Sequence, residues 1–171
     1  MMKKIAVIGC GGAGKSTFSR ILSEILNIPV YHLDKLNWKP GWVPTPKVEW
    51  NYLMKNLVSK EEWIIDGNYG STLDIRLKNA DTIIFLNMPM YLCIYRIVKR
   101  RFIYHGKSRP DMGEGCPEKL DINFVKWVWG YNKNKKQGIL EKLNKLSIEK
   151  NVIILNSSSE MDKFIYDLRR Q

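Results

Sequence analysis

What this chain lacks narrows its function before any motif is considered. Nowhere in its 171 residues does a run approach the roughly 18 apolar residues that a membrane span needs. The start, Met1-Met2-Lys3-Lys4-Ile5-Ala6-Val7-Ile8, reaches glycine after four apolar residues, whereas a signal peptide wants about 7–15. The expectation is a soluble, cytoplasmic protein with no membrane partner. Cysteine is scarce and odd in number: Cys10, Cys93 and Cys116 show no CxxC or Cys/His spacing, which argues against a disulfide framework and a zinc site. Internal repeats, linkers and low-complexity tracts are missing, as are helix-turn-helix, zinc-finger and RNA-recognition signatures. Acidic residues are also in short supply, 17 against 28 Lys and Arg, for a net charge of +11. The imbalance is local. Between Tyr91 and Lys145 there are 13 Lys/Arg against 5 Asp/Glu, and a positive field of that kind suits anionic partners such as phosphorylated ligands or nucleic acid.

The length fits a single domain, 1–171. Short apolar runs read as strands at Lys3–Ile8, Val30–Leu33, Trp63–Ile65, Thr82–Leu86 and Val152–Leu155. Helical periods lie between them: Lys15–Leu26, a helix capped by Thr45 with Pro46 first and running to about Ser59, Ser71–Lys78, Tyr91–Tyr104, and Asp121 towards Leu146 with an interruption near Gly130 or Gly138. Ser158 or Ser159 caps a last helix. Strands alternating with helices demand crossover connections, so the fold class is α/β, a parallel sheet covered by helices on both faces. The segment 105–120 is rich in Gly, Pro and charge; with no periodic apolar face it has little to bury and is expected to be a mobile lid.

Gly9-Cys10-Gly11-Gly12-Ala13-Gly14-Lys15-Ser16 matches G-x-x-x-x-G-K-[ST], with a strand entering and a helix leaving. Glycines let successive backbone N–H groups turn inward around phosphate oxygens, and the helix N-terminus adds its positive end. Gly9, Gly11, Gly12, Ala13 and Gly14 therefore form a phosphate cradle, with Lys15 on the β and γ phosphates, Ser16 offering its hydroxyl to Mg²⁺ and Thr17 on the α phosphate. The ligand expected is ATP with Mg²⁺. Cys10, inside the loop, is either a thiol of lowered pKa or a small residue that fits there.

Ligands of an open parallel sheet bind beyond the carboxyl ends of its strands. Asp34 and Asp66 both fall there. One suits a magnesium-bound water, assigned to Asp66; the other suits an acceptor hydroxyl, assigned to Asp34. Arg96 and Arg100 share a helix face and are placed to meet the transferring phosphoryl group, while Arg101 points elsewhere. Arg76, after Asp66, and Arg109, in the lid, are placed with the acceptor. Trp38 and Trp42 flank a Pro-Gly turn, either shelving an acceptor ring or packing the loop. Phe124, Trp127 or Val128, and Tyr131 have helical spacing and read as core. Lys133, Lys135 and Lys136 read as a solvated face.

These residues resemble the nucleotide and nucleoside kinases of adenylate-kinase type. More narrowly, His32-Leu33-Asp34-Lys35-Leu36, Trp38-Lys39-Pro40-Gly41-Trp42, Ile64-Ile65-Asp66-Gly67-Asn68-Tyr69, Arg109-Pro110-Asp111 and Gly115-Cys116-Pro117-Glu118 resemble the bacterial DNA topology modulation proteins. The resemblance spans nearly the whole chain. It implies a three-layer fold with sheet order 2-3-1-4-5, a short lid and ATP binding. Nucleoside-monophosphate kinases typically show Asp-Gly-(Phe/Tyr)-Pro-Arg, whereas Asp66-Gly67 here precedes Asn68-Tyr69-Gly70. Asp34 is similar to the acceptor aspartate of kinases acting on small hydroxyl compounds, and a hydroxyl needs a base where a phosphate does not. Two functions follow: a kinase acting on a small-molecule or nucleotide acceptor, or a nucleotide-dependent regulator that binds DNA.

Overall fold

The computed structural model describes residues 2–119 and 121–170. Met1, Gln171 and Leu120, the last residue of the expected lid, lie outside them. The central strand β1 (Lys4–Gly9) is buried from Ile5 onward, as a strand covered on both faces must be. It is followed by α1 (Lys15–Leu26), β2 (Val30–His32), α2 (Leu33–Asn37), the two-residue strands β3 (Trp38–Lys39) and β4 (Val43–Pro44), and α3 (Lys47–Val58). Then come β5 (Trp63–Asp66), a 3₁₀ turn at Gly70–Thr72, α4 (Leu73–Asn79), β6 (Thr82–Leu86) and α5 (Met90–Ile103). The chain ends with α6 (Ile122–Tyr131), a π turn at Asn132–Lys136, α7 (Gln137–Leu146), β7 (Asn151–Leu155) and α8 (Ser158–Leu168).

Five strands form one parallel sheet in the order β2-β5-β1-β6-β7, the arrangement the resemblance implied. Side chains of β1 alternate between two cores. Ile5 and Val7 join Phe18, Leu22, Cys93, Ile97 and Val128 on one face. Ala6 and Ile8 join Trp50, Met54, Trp63, Leu77 and Leu143 on the other. Trp63, Phe18 and Phe85 are fully or almost fully buried, and truncating any one to alanine costs about 3–5 kcal/mol. Register places Val7 beside Asp66, His32 beside Asp66, and Gly9 beside Leu86, so the glycine loop and both candidate aspartates gather at the carboxyl ends of the strands. Among the described residues no helix is long and apolar enough to cross a membrane.

Several local expectations shift. The second strand stops at His32, and Asp34 lies in the first turn of α2 rather than at a strand end. The Trp38–Pro44 loop contains an antiparallel ladder, β3 with β4. Thr45 does not cap α3; its hydroxyl donates to the Asn37 carbonyl at 2.9 Å, tying α3 to α2. The helical run after residue 121 is interrupted by the π turn at Asn132–Lys136, not at Gly130 or Gly138. The last helix is capped by Ser157, whose Oγ accepts from the Glu160 N–H at 3.1 Å, which leaves Ser158 free for another partner.

Candidate functional site

The loop between β1 and α1 has the form its glycines require. Gly12 (φ 78°) and Gly14 (φ 96°) are left-handed, and a Cβ on Gly12 would lie 2.3 Å from the Cys93 carbonyl oxygen, so only glycine fits there. The first turn of α1 carries no acidic side chain, and its leading N–H groups have no intrahelical partner. That end is a ready cradle for phosphate. Lys15 folds back over the loop, its Nζ donating to the Cys10 carbonyl at 2.9 Å. Arg96 braces the loop, with one Nη donating to the Ala13 carbonyl at 3.1 Å and the other to Ser158 Oγ at 2.9 Å. Cys10 is not an activated thiol: a hydrogen bond with the Cys93 side chain, together with burial, pushes its pKa up.

Both aspartates have partners that the sequence did not announce. Tyr69 donates its hydroxyl to Asp34 Oδ1 at 2.8 Å, and burial with the neighbouring Asp34 charge pushes the phenol pKa up, so it stays a donor. Asp66, buried at the end of β5, accepts from His32 Nδ1 at 2.8 Å through Oδ2.

The expectation that residues 105–120 have little to bury is not met. Met112 and Cys116 are buried. The Gly41 N–H donates to the Gly115 carbonyl at 2.9 Å, Trp42 Nε1 to the Pro117 carbonyl at 3.2 Å, and Cys116 Sγ to the Lys39 carbonyl at 3.2 Å. The anchors are irregular in spacing, so no periodicity revealed them. A chain of ion pairs crosses the loop: Arg100 Nε to Glu118 Oε1 at 3.0 Å, Glu118 Oε2 to Arg109 Nε at 2.6 Å, and Arg109 Nη1 to Asp111 Oδ2 at 3.1 Å. Burial and the facing Arg109 lower the Arg100 pKa. Burial alone would raise that of Asp111; the Arg109 guanidinium and the Ser16 hydroxyl outweigh it and hold the carboxyl below its ordinary value. Arg101 points elsewhere than Arg96 and Arg100, as expected: it does not line the cavity, and its Nη1 donates to the Glu118 carbonyl at 3.1 Å.

Arg76 leaves the acceptor side altogether. It is fully buried, donating to the carbonyls of Thr72 at 3.3 Å, Gly67 at 3.0 Å and Tyr69 at 3.1 Å. Desolvation pushes its pKa down to about 10. Its task is to shape the Gly67–Thr72 turn that carries Tyr69.

Apart from Gly9 and Ala13, which do not line it, the remaining groups surround one cavity of about 870 Å³, near the upper end of the range for ligand sites. Gly11, Gly12, Gly14, Lys15, Ser16, Thr17, Asp34, Asp66, Arg96, Arg100 and Arg109 all line it. Trp38 and Trp42, T-shaped with centroids 5.6 Å apart, form an aromatic wall and also pack the loop. Phe124 and Trp127, read as core from their spacing, stack 5.8 Å apart on the opposite side, while Val128 and Tyr131 are buried as expected. No cluster of three His, Cys, Asp or Glu among the described residues could hold a metal by itself. A cation here would need oxygens from the ligand as well, which suits Mg²⁺ held with phosphates.

No family model matches the chain. The uncharacterized protein YqaC of Bacillus subtilis (strain 168) is 27% identical over 139 residues, 77% of this chain and 74% of that one. A shikimate kinase from Acinetobacter baumannii, solved with shikimate, superposes with a TM-score of 0.60 at 18% identity over 99% of this chain and 93% of its own. A gluconokinase from Sinorhizobium meliloti 1021 gives 0.53 at 16% identity, covering 98% and 90%. A shikimate kinase from Bacteroides thetaiotaomicron gives 0.53 at 16%, covering 99% and 98%. The fold is that of the P-loop kinases. None of these four bears the name of the DNA topology modulation proteins; that narrower resemblance rests on the sequence segments alone.

Proposed function

We propose that this chain is an ATP-dependent kinase that transfers the γ-phosphoryl group to a hydroxyl of a small molecule or nucleotide. The observation that carries the reading is that the glycine loop and the Asp34–Tyr69 pair face one cavity from two elements. Lys15 and the loop N–H groups bind the triphosphate, and Ser16, with Asp66 steadied by His32, would hold Mg²⁺. When bound, Mg²⁺ would neutralise phosphate charge. Tyr69 fixes Asp34, and Asp34 receives the acceptor proton as the acceptor oxygen bonds the γ phosphorus and the bond to the β–γ bridging oxygen breaks, releasing ADP. Arg96, Arg100 and Arg109 line the cavity where charge accumulates on the transferring group. The shikimate kinases and gluconokinase, kinases named for small molecules, support the class of acceptor.

The test is acceptor-dependent ADP release across nucleosides, nucleotides and sugars. Asp34→Asn should lower turnover by about 10²–10⁴ with ATP affinity unchanged. Turnover that survives this change, or ADP release indifferent to every acceptor, would refute the assignment. The alternative, a nucleotide-dependent regulator that binds DNA, draws on the basic segment between Tyr91 and Lys145.

A further inference from the structure

We propose that Glu118 is a positioning residue: its carboxylate holds Arg100 by Nε and so leaves both Nη groups of Arg100 to grip the γ-phosphoryl of the nucleotide. The inference rests on the kinase reading and singles out one of the three arginines in its cavity. A guanidinium is a rigid fork with donors along more than one edge. To grip a phosphate it must be steadied by the part that the phosphate does not use. Arg96 has given one Nη to the Ala13 carbonyl and the other to Ser158. Arg109 is 7% exposed, with Nε against Glu118 and Nη1 on Asp111. Arg100 keeps 24% of its side chain open. Among the described residues the one hydrogen bond it makes runs from Nε to Glu118 Oε1, at 3.0 Å.

Glu118 is built to hold that fork. Its side chain is 3% exposed, and its two oxygens face two guanidiniums, one carried by α5 and the other by the loop. Oε1 takes the Arg100 hydrogen bond, while Oε2 meets Arg109 Nε at 2.6 Å as a charge contact without hydrogen-bond alignment. Without the shared carboxylate, like charges this close would drive each other apart. The backbone of Glu118 is fixed independently of its side chain. Its N–H donates to the Lys107 carbonyl at 2.9 Å, and its carbonyl accepts from Arg101 Nη1 at 3.1 Å. Glu118→Gln therefore removes the charge and keeps both main-chain anchors.

The readout is what the γ-phosphate adds to binding. It is the ratio of the full chain's affinities for a non-hydrolysable ATP analogue and for ADP, each with Mg²⁺, measured by calorimetry. A structural defect weakens both nucleotides alike and leaves the ratio unchanged, whereas a misplaced Arg100 lowers it. Glu118→Gln should lower the ratio about tenfold or more, with ADP affinity unchanged. Arg100→Lys keeps a charge for Glu118 but lacks the fork; it should lower the ratio similarly, and it carries the test if Glu118→Gln does not fold. In an Arg100→Ala background, Glu118→Gln should change the ratio no further. An unchanged ratio in either single variant, effects of Glu118→Gln and Arg100→Ala that multiply, or a ratio near one in the unaltered protein overturns the inference while leaving the nucleotide site standing. Failure of the unaltered protein to bind either nucleotide overturns the kinase reading itself.

Discussion

Lys15 and Arg76 show how the same kind of charge serves two purposes depending on where the backbone puts it. Lys15 has a loop carbonyl for its ammonium, a bond a phosphate replaces without disturbing the fold. Lys15→Ala should therefore cost about 1.5–3 kcal/mol of ATP affinity and leave the denaturation midpoint unchanged; titration calorimetry and a urea curve give both numbers. Arg76 sits under the Gly67–Thr72 turn with three backbone carbonyls on its guanidinium. Arg76→Ala strands those oxygens in the interior and should lower stability by about 3 kcal/mol, visible in the same urea curve. Sequence separates the two poorly, because an arginine four residues after a turn looks alike whether it faces ligand or carbonyl oxygen. Lys15 was legible because its spacing from the four glycines of the loop fixes what it touches. The partners of Asp34 and Asp66 were not, since Tyr69 and His32 reach them through a pairing of β2 with β5 that crosses 34 residues of chain.

Among the elements, the five strands of the parallel sheet could be read directly because each is a short, largely apolar run, and β1, β5 and β6 are buried almost throughout. Helix α2 could not: Leu33–Asn37 is too short to show a period. In the segment 105–120 the expectation of little burial fails most, since Met112 and Cys116 bury without any repeat and Glu118 takes its meaning from arginines on α5 and within the loop itself. Its seat on the hairpin makes a specific demand at Gly113. An added methyl would meet backbone, not a yielding side chain, so Gly113→Ala should loosen docking by about 1–3 kcal/mol. Hydrogen exchange of the amides from Arg109 to Glu118 should accelerate accordingly, and acceptor-dependent turnover should fall. Exchange as slow as in the unaltered protein would show that the loop is held by something other than the hairpin.

At the scale of the whole molecule the positive charge is divided between inside and outside. Arg96, Arg100 and Arg109 are turned into the cavity and occupied there, whereas Lys133 and Lys135 are exposed beside the π turn. Part of the positive charge therefore faces the cavity rather than the outer surface, while the net +11, in which the carboxylates are already counted, attracts polyanions without sequence preference. DNA binding at physiological salt should be weak, on the order of 10⁻⁴–10⁻⁶ M, indifferent to sequence and steeply salt-dependent. Arg100→Ala should abolish acceptor-dependent turnover and barely change that binding. Submicromolar binding lost on Lys133→Glu with Lys136→Glu, in a protein for which no acceptor is found, would favour the DNA-binding regulator.

Three of the six tryptophans, Trp38, Trp42 and Trp127, stand on the cavity wall, and Trp42 holds the docked loop by its indole N–H. Trp50 and Trp63 lie deep in the sheet's other core, insulated from solvent. The protein thus carries its own optical reporter: a solvent-sensitive emission from the wall set against a constant one from the interior. An unknown acceptor can be hunted by the colour of the protein's own fluorescence, with no label and no coupled assay.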